Sequence, residues 1–204
     1  MEFDHVTYQG PAIDDHGVLE ELPEELASIL QQVNGVIAGA GAFHLRGACH
    51  EPVWHSLAVA WRGPTSVVAR YRSVREGDIP FAQDALGDQY LWREGAVVRL
   101  DAESDETTEI APSLVEFLEQ VSASPVEYLR LGPLVAFWEE GGALAPGQLL
   151  SVYPPLVMRA DSAGYSYRAI DAADRLGALA ALAAQIRDLP DGTSIRVVPH
   201  QAAG

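Results

Sequence analysis

The chain has 204 residues, 48% of them hydrophobic and 21% charged, enough to bury a core without disulfides or metal. Its formal net charge is -16, its 13 basic residues are all arginine, and -14 of the total falls in the first 124 residues. That balance argues against nucleic-acid or anionic-membrane binding and favours a basic partner. The single cysteine, Cys49, excludes an internal disulfide framework and fits a reducing compartment.

In chain order, residues 1–18 show no strong period and read as an irregular lead-in without the regions of a signal peptide. No apolar run approaches the roughly 20 residues that span a bilayer, so a soluble cytoplasmic protein is expected. Leu19, Leu22, Leu26, Ile29, Leu30 and Val33 recur at helical spacing, with Pro23, Glu24 and Glu25 in the first turn and Asn34-Gly35 as the stop. Residues 36–47 (VIAGAGAFHLRG) read as a glycine loop leading into a strand at 42–45. A phosphate-binding loop competes poorly there: a helix precedes it, and the chain has no lysine.

His44, Cys49, His50 and His55 fall within twelve residues, and imidazole and thiolate are good transition-metal ligands. Their spacing matches neither a C-x-x-C pair nor an H-E-x-x-H helix. Trp54 and the apolar run 57–61 place His55 at the edge of a packed helix instead, so no metal or other cofactor is expected. A valine-rich run at 66–71 reads as a strand.

Residues 78–100 (DIPFAQDALGDQYLWREGAVVRL) are the stretch around which the chain is organised. Tyr90 and Trp92 share one strand face and Leu91 takes the other, so this strand is central in its sheet. Phe81, Tyr90 and Trp92 are the expected core anchors. Gly87 permits a turn that Asp84 and Asp88 hold by accepting backbone amides, and Glu94-Gly95 makes a hairpin. The run 101–109 (DAESDETTE) reads as a solvated acidic loop, and its oxygen spacing does not match a calcium-binding EF-hand.

Ser113 and Glu116 form a capping box for a helix that buries Leu114, Phe117, Leu118 and Val121. A second cap at Ser124-Pro125 marks a boundary between a core at 1–124 and a C-terminal extension at 125–204. In the extension a helix at 133–140 ends on Gly141-Gly142, and Pro146-Gly147 turns the chain into strands at 149–153 and 165–170. Asp171 then caps an amphipathic helix through Leu176, Leu179, Leu182, Ile186 and Leu189, and a last strand is expected at 194–198.

The order of these pieces resembles the SMI1/KNR4 family of the SUKH superfamily. Leu22, Pro23, Leu26, Leu30, Asn34 and Gly35 match its leading helix. Ile79, Pro80, Phe81, Ala82, Asp84, Gly87, Asp88 and Tyr90 match its central motif, and Leu114, Phe117 and Leu118 its closing helix. The resemblance covers residues 19–121 and implies an α+β fold, a twisted mainly antiparallel sheet with packed helices, to which the extension adds a second α+β unit. Many bacterial members look like immunity proteins that bind and neutralise a cognate toxin, often a nuclease; fungal relatives are regulatory scaffold proteins.

The resemblance thus implies a non-catalytic chain with a protein toxin as partner, and the charge makes that partner basic and argues against nucleic acid and membrane. Asp101, Glu103, Asp105, Glu106 and Glu109 are the candidate toxin contacts. Pro80, Phe81, Asp84, Gly87, Asp88, Tyr90 and Trp92 are structural in that reading. Two alternatives stay open: a regulatory or scaffold protein with another partner, and an enzyme using Asp84 and Asp88 as an acid–base pair. No G-x-S-x-G motif supports a serine hydrolase.

Overall fold

Short apolar runs separated by tight turns build an antiparallel meander. In the computed structural model, which describes residues 3–158, 164–190 and 192–193, seven strands pair in chain order. They are β1 (Tyr8–Gln9), β2 (Val36–Ala38), β3 (Phe43–Leu45), β4 (Ile79–Asp84), β5 (Gln89–Arg93), β6 (Ala96–Asp101) and β7 (Glu106–Ala111). Every neighbouring pair is antiparallel.

Among the described residues eight helices accompany the sheet. Before β4 come α1 (His16–Glu21), α2 (Glu24–Gln32), α3 (Leu57–Trp61) and α4 (Val67–Arg70). After β7 come α5 (Leu114–Ala123), α6 (Pro125–Tyr128) and α7 (Gly132–Glu139). Strands β8 (Gln148–Tyr153) and β9 (Ser166–Asp171) form a separate hairpin, and α8 (Ala172–Ile186) follows. The fold is α+β, as the sequence predicts.

Period-2 alternation sorts the central strands onto two cores. Phe81, Tyr90 and Val97 face the larger one, with Phe43, Leu26 and Leu30 of α2, and Leu114, Phe117, Leu118 and Val121 of α5. Leu91, Val98 and Leu100 face the smaller one, with Val67, Tyr71, Leu179 and Ala183. Strand β5 lies between β4 and β6 with both faces covered; Trp92 is only partly buried against the larger core. Glu94 and Gly95 both take positive φ, 53° and 96°, as a two-residue hairpin turn requires. Pro80, which cannot donate to a ladder, sits where the β4–β5 register slips between Pro80 and Ala82, so Phe81 is the bulged residue.

Five local expectations are corrected. The single helix through 19–33 is two, because Pro23 holds Leu22 extended (φ -74°, ψ 147°) and breaks the run. The lead-in holds β1 and the start of α1, and residues 36–38 are a strand paired with β3 rather than loop. The run 66–71 is helical: the Ser66 hydroxyl accepts the Ala69 amide at 3.2 Å, and Val67 and Tyr71 reach the smaller core at helical spacing. Residues 101–109 are not a loop but the end of β6, a tight turn and most of β7. The strand expected at 194–198 lies outside the described residues.

The segment after Ser124 shares both cores. Leu129, Leu131, Leu134, Phe137, Leu150 and Val152 belong to the larger, while Leu179 and Ala183 of α8 close the smaller. The Leu150 amide donates to the Ala85 carbonyl at 2.7 Å, tying β8 to the motif turn. Gly87 has φ 98°, and a Cβ there would stand 2.6 Å from Leu179 Cδ1. Gly87→Ala is therefore expected to cost about 2–3 kcal/mol in urea unfolding, from backbone strain plus overpacking. Gly95 has the same backbone class and open surroundings, so Gly95→Ala should cost only the strain, about 1–2 kcal/mol. Equal losses would show that α8 does not press on the turn.

Candidate functional site

The turn between β4 and β5 comes first, because it aims everything near it. Asp84 Oδ1 accepts the amides of Leu86, Gly87 and Asp88 at 2.9–3.1 Å, and its Oδ2 accepts the Tyr90 hydroxyl at 2.8 Å. Asp88 Oδ1 accepts the Ala102 amide at 2.9 Å, and its Oδ2 takes both Nε and an Nη of Arg99. Burial, then the Asp88 carboxylate, push Asp84 up to about 7, against the pull of Arg99 and the donors around it. Asp84 has no open face toward solvent: the residue is 1% exposed. The pair clamps a turn and links it to β6.

The five acidic candidates separate into two sets. Glu103 and Asp105 point inward. Glu103 pairs with Arg175 of α8 at 3.4 Å and accepts the Val157 amide at 2.8 Å. Asp105, in the left-handed region at φ 58°, accepts the Arg72 amide and the Ser73 amide and hydroxyl, and pairs with Arg187 at 2.6 Å. These two acids dock the chain beyond 124 onto the sheet and are not a solvated contact surface. Asp101 is half-buried, its Oδ1 accepting the amides of Glu103 and Ser104 at 3.0 Å. Glu106 and Glu109 are exposed.

A concavity of about 490 Å³ opens where the sheet runs past α6. Ile110 and Tyr128 give it a half-buried apolar wall backed by the buried Tyr90 and Leu129, and Asp101, Glu106 and Glu127 supply carboxylates against Arg99 and Arg130. The Tyr128 hydroxyl donates to the Ile110 carbonyl at 3.1 Å, pinning α6 beside β7. The sequence expectation thus includes two residues of this hollow, Asp101 and Glu106, while Glu109 is not among its lining residues. It missed Glu127, Arg99, Arg130 and Tyr128. Their signal was weak: Arg99 continues the alternation of Val97 and Asp101 on one face of β6, and nothing local ties it to Glu127.

The histidine group resolves into a proton-ordered chain. His55 Nε2 lies 3.0 Å from the Asn34 carbonyl oxygen, which can only accept, so that nitrogen carries the hydrogen. His44 Nε2 then donates to His55 Nδ1 at 2.8 Å, and Gln83 Nε2 donates to His44 Nδ1 at 3.2 Å. Arg46 closes the series, donating to Gln83 and Gln89 side-chain oxygens at 2.6 and 2.7 Å. Burial lowers both imidazoles, His44 strongly, so both are neutral and every ring nitrogen is engaged. Gly10, Gly35 and Gly47 make the space, since a Cβ at any of them would fall within 2.7 Å of the His55 ring.

His50 is exposed and Cys49 buried, its thiol pushed up to about 11 by burial and then by Asp14. The described residues hold no group of three or more His, Cys, Asp or Glu side chains placed to share a metal ion. Among them, no helix is long and apolar enough to cross a membrane. No family model, no curated protein and no solved structure matches this chain.

Proposed function

We propose that the chain is an SMI1/KNR4-type immunity protein that binds a basic protein toxin and neutralises it without catalysis. The carrying observation is the hollow of about 490 Å³ beside β7, where Asp101, Glu106 and Glu127 surround an aromatic and aliphatic wall. Such a wall takes the stem of a long basic side chain while the carboxylates take its charge. A net charge of -16 speeds the encounter with a basic partner and selects against acidic ones. A nuclease toxin fits this chemistry, because a surface that holds phosphates is basic. Glu106, Glu127 and Asp101 are the contacts in this reading, and Glu103 and Asp105 are not.

The test is co-expression with candidate toxins encoded near this gene, followed by co-purification and a growth assay. The wild-type chain is expected to rescue growth and to bind more weakly as salt rises. Glu106→Lys with Glu127→Lys, both on exposed side chains, should lower the melting temperature only slightly, through the Ser124 hydroxyl contact that Glu127 gives up. The pair should weaken capture at least about tenfold, about 1.4 kcal/mol. Capture that is indifferent to the double reversal would remove the hollow from the interface. Failure to rescue against any neighbouring toxin would remove the immunity reading itself and leave a regulatory scaffold role.

A further inference from the structure

Strand β7 ends the sheet with one side open. It pairs with β6 alone, and among the described residues no other main-chain group bonds to residues 106–109. The two-residue turn at Glu94-Gly95 makes Arg93 and Ala96 a hydrogen-bonded pair. Alternation along β6 then aims the main chains of Arg99 and Asp101 at Thr108 and Glu106. Thr107 and Glu109 are left with their N–H and C=O groups directed away from the sheet. Past them the edge closes, where the Ile110 carbonyl accepts the Tyr128 hydroxyl. Open edges are normally guarded by proline, lysine, a bulge or a covering element. Residues 106–109 (ETTE) carry neither proline nor lysine, and the bulge lies beyond Glu109. Their guard is charge. Glu106 and Glu109 are exposed and, three apart in a strand, lie on opposite faces. Laid antiparallel on the same strand of a second copy, they would meet acid with acid. The nearby cations Arg99, Arg187 and Arg72 are each paired with an aspartate, Asp88, Asp105 and Asp188, so the two glutamates set the charge of the edge.

We propose that this edge takes an extended, basic segment of the partner protein as an added strand, its main chain paired with Thr107 and Glu109 and its basic residues three apart. Strand addition supplies affinity through main-chain bonds, here two donors and two acceptors, and leaves specificity to the side chains. An arginine or lysine opposite Glu106 and another opposite Glu109 give one ion pair on each face of the enlarged sheet. Glu106 and Thr108 also line the hollow beside α6, so the added strand runs along its rim and continues the contact surface described above. Glu109, which does not line the hollow, joins the interface by this route. The inference takes the basicity of the partner from the immunity reading and adds the mode of capture.

The full-length chain titrated by heteronuclear NMR with the blocked hexapeptide Thr-Arg-Val-Val-Arg-Thr tests it. Two controls run beside it: a fully N-methylated analogue, which keeps the charge but donates no main-chain bond, and a version with glutamate for arginine. The first peptide is expected to bind saturably below about 10 mM and to slow hydrogen exchange at the Thr107 and Glu109 amides at least about fivefold. The controls are not. Thr107→Pro removes an outward N–H without touching the β6–β7 ladder and should abolish binding. Glu106→Lys with Glu109→Lys should weaken it at least about tenfold. Should Thr107→Pro not fold, the N-methylated peptide still decides whether the main chain pairs. Equal binding by the N-methylated peptide, no protection of these two amides, or binding unchanged in the folded variants overturns the proposal. Amides already protected in a wild-type dimer would give the edge to a second copy and overturn it too. Edge protection without rescue from any toxin removes the immunity reading alone; rescue without edge protection removes the strand addition alone.

Discussion

Asp84→Ala is expected to unfold this protein at much lower urea than the wild type, with a loss of about 4–6 kcal/mol. One side chain satisfies three consecutive amides and a buried tyrosine hydroxyl, and alanine leaves the Leu86 and Asp88 amides and the Tyr90 hydroxyl without that acceptor in a site closed to water, while the Gly87 amide keeps the backbone carbonyl of residue 84 at 3.2 Å. The removed hydrogen bonds matter less than the desolvated groups left behind. Asp84→Asn separates the two effects. Its Oδ1 can keep the three amides and its Nδ2 can donate to the Tyr90 oxygen, so the loss should be about 1 kcal/mol or less at neutral pH. Equal losses in both variants would show that the charge, not the acceptor, holds the turn.

The same variant carries a pH signature. Asp84 titrates at about 7 in the folded chain against 3.8 unfolded, so the folded chain binds this proton first and acidification from 7 toward 4 favours it. His44 and His55 have the opposite sign. Burial lowers both from 6.5, so the unfolded chain takes those two protons first, and their stabilisation is complete above 6.5 and lost as pH falls below it. Between about pH 6 and 5 the folded wild type holds a proton on Asp84 that its unfolded chain lacks, and Asp84→Asn removes that proton from the balance. Stability should therefore fall more steeply with acid in the variant, by about 1.4 kcal/mol per pH unit. Parallel slopes in urea midpoints across that window would place the Asp84 proton elsewhere.

What could be read from the sequence was local. The motif turn is legible because Asp84, Gly87 and Asp88 lie within five residues and the apolar alternation runs through Tyr90 and Trp92. The cap of α5 and that of α8 were legible for the same reason: a side chain reaches an amide two or three residues ahead. Helix α4 was not. Two adjacent valines favour a strand by propensity, and the packing that overrides them comes from Leu91 and Leu179, distant in sequence. Strand β7 was missed because ETTEIA is polar on its open edge, although its two threonines favour a strand. Arg175 could have been suspected: it stands four residues before Leu179 on the buried face of α8, where a charge requires a partner. That its partner is Glu103, 72 residues away, was not readable.

That distant pairing divides the acidic run into members that hold the fold and members that face outward, and the division has measurable size. Glu103→Ala leaves Arg175, its side chain 7% exposed, without the carboxylate it pairs with among the described residues. A buried ion pair gains little over an apolar substitute, but breaking it from one side strands a charge, at about 3–5 kcal/mol. Asp105→Ala belongs to the same class: it strips the acceptor from the Arg72 and Ser73 amides and the counter-charge from Arg187. Glu106→Ala and Glu109→Ala, on exposed side chains of β7, should fall within about 0.5 kcal/mol of wild type. The double variant Glu103→Ala with Arg175→Met should recover part of the loss, because it removes the stranded charge along with its partner. If the double variant is as unstable as Glu103→Ala alone, the cost lies in the lost Val157 amide contact and not in Arg175. If Glu103→Ala and Asp105→Ala are both as stable as Glu106→Ala, then α8 is not held to the sheet by these pairs.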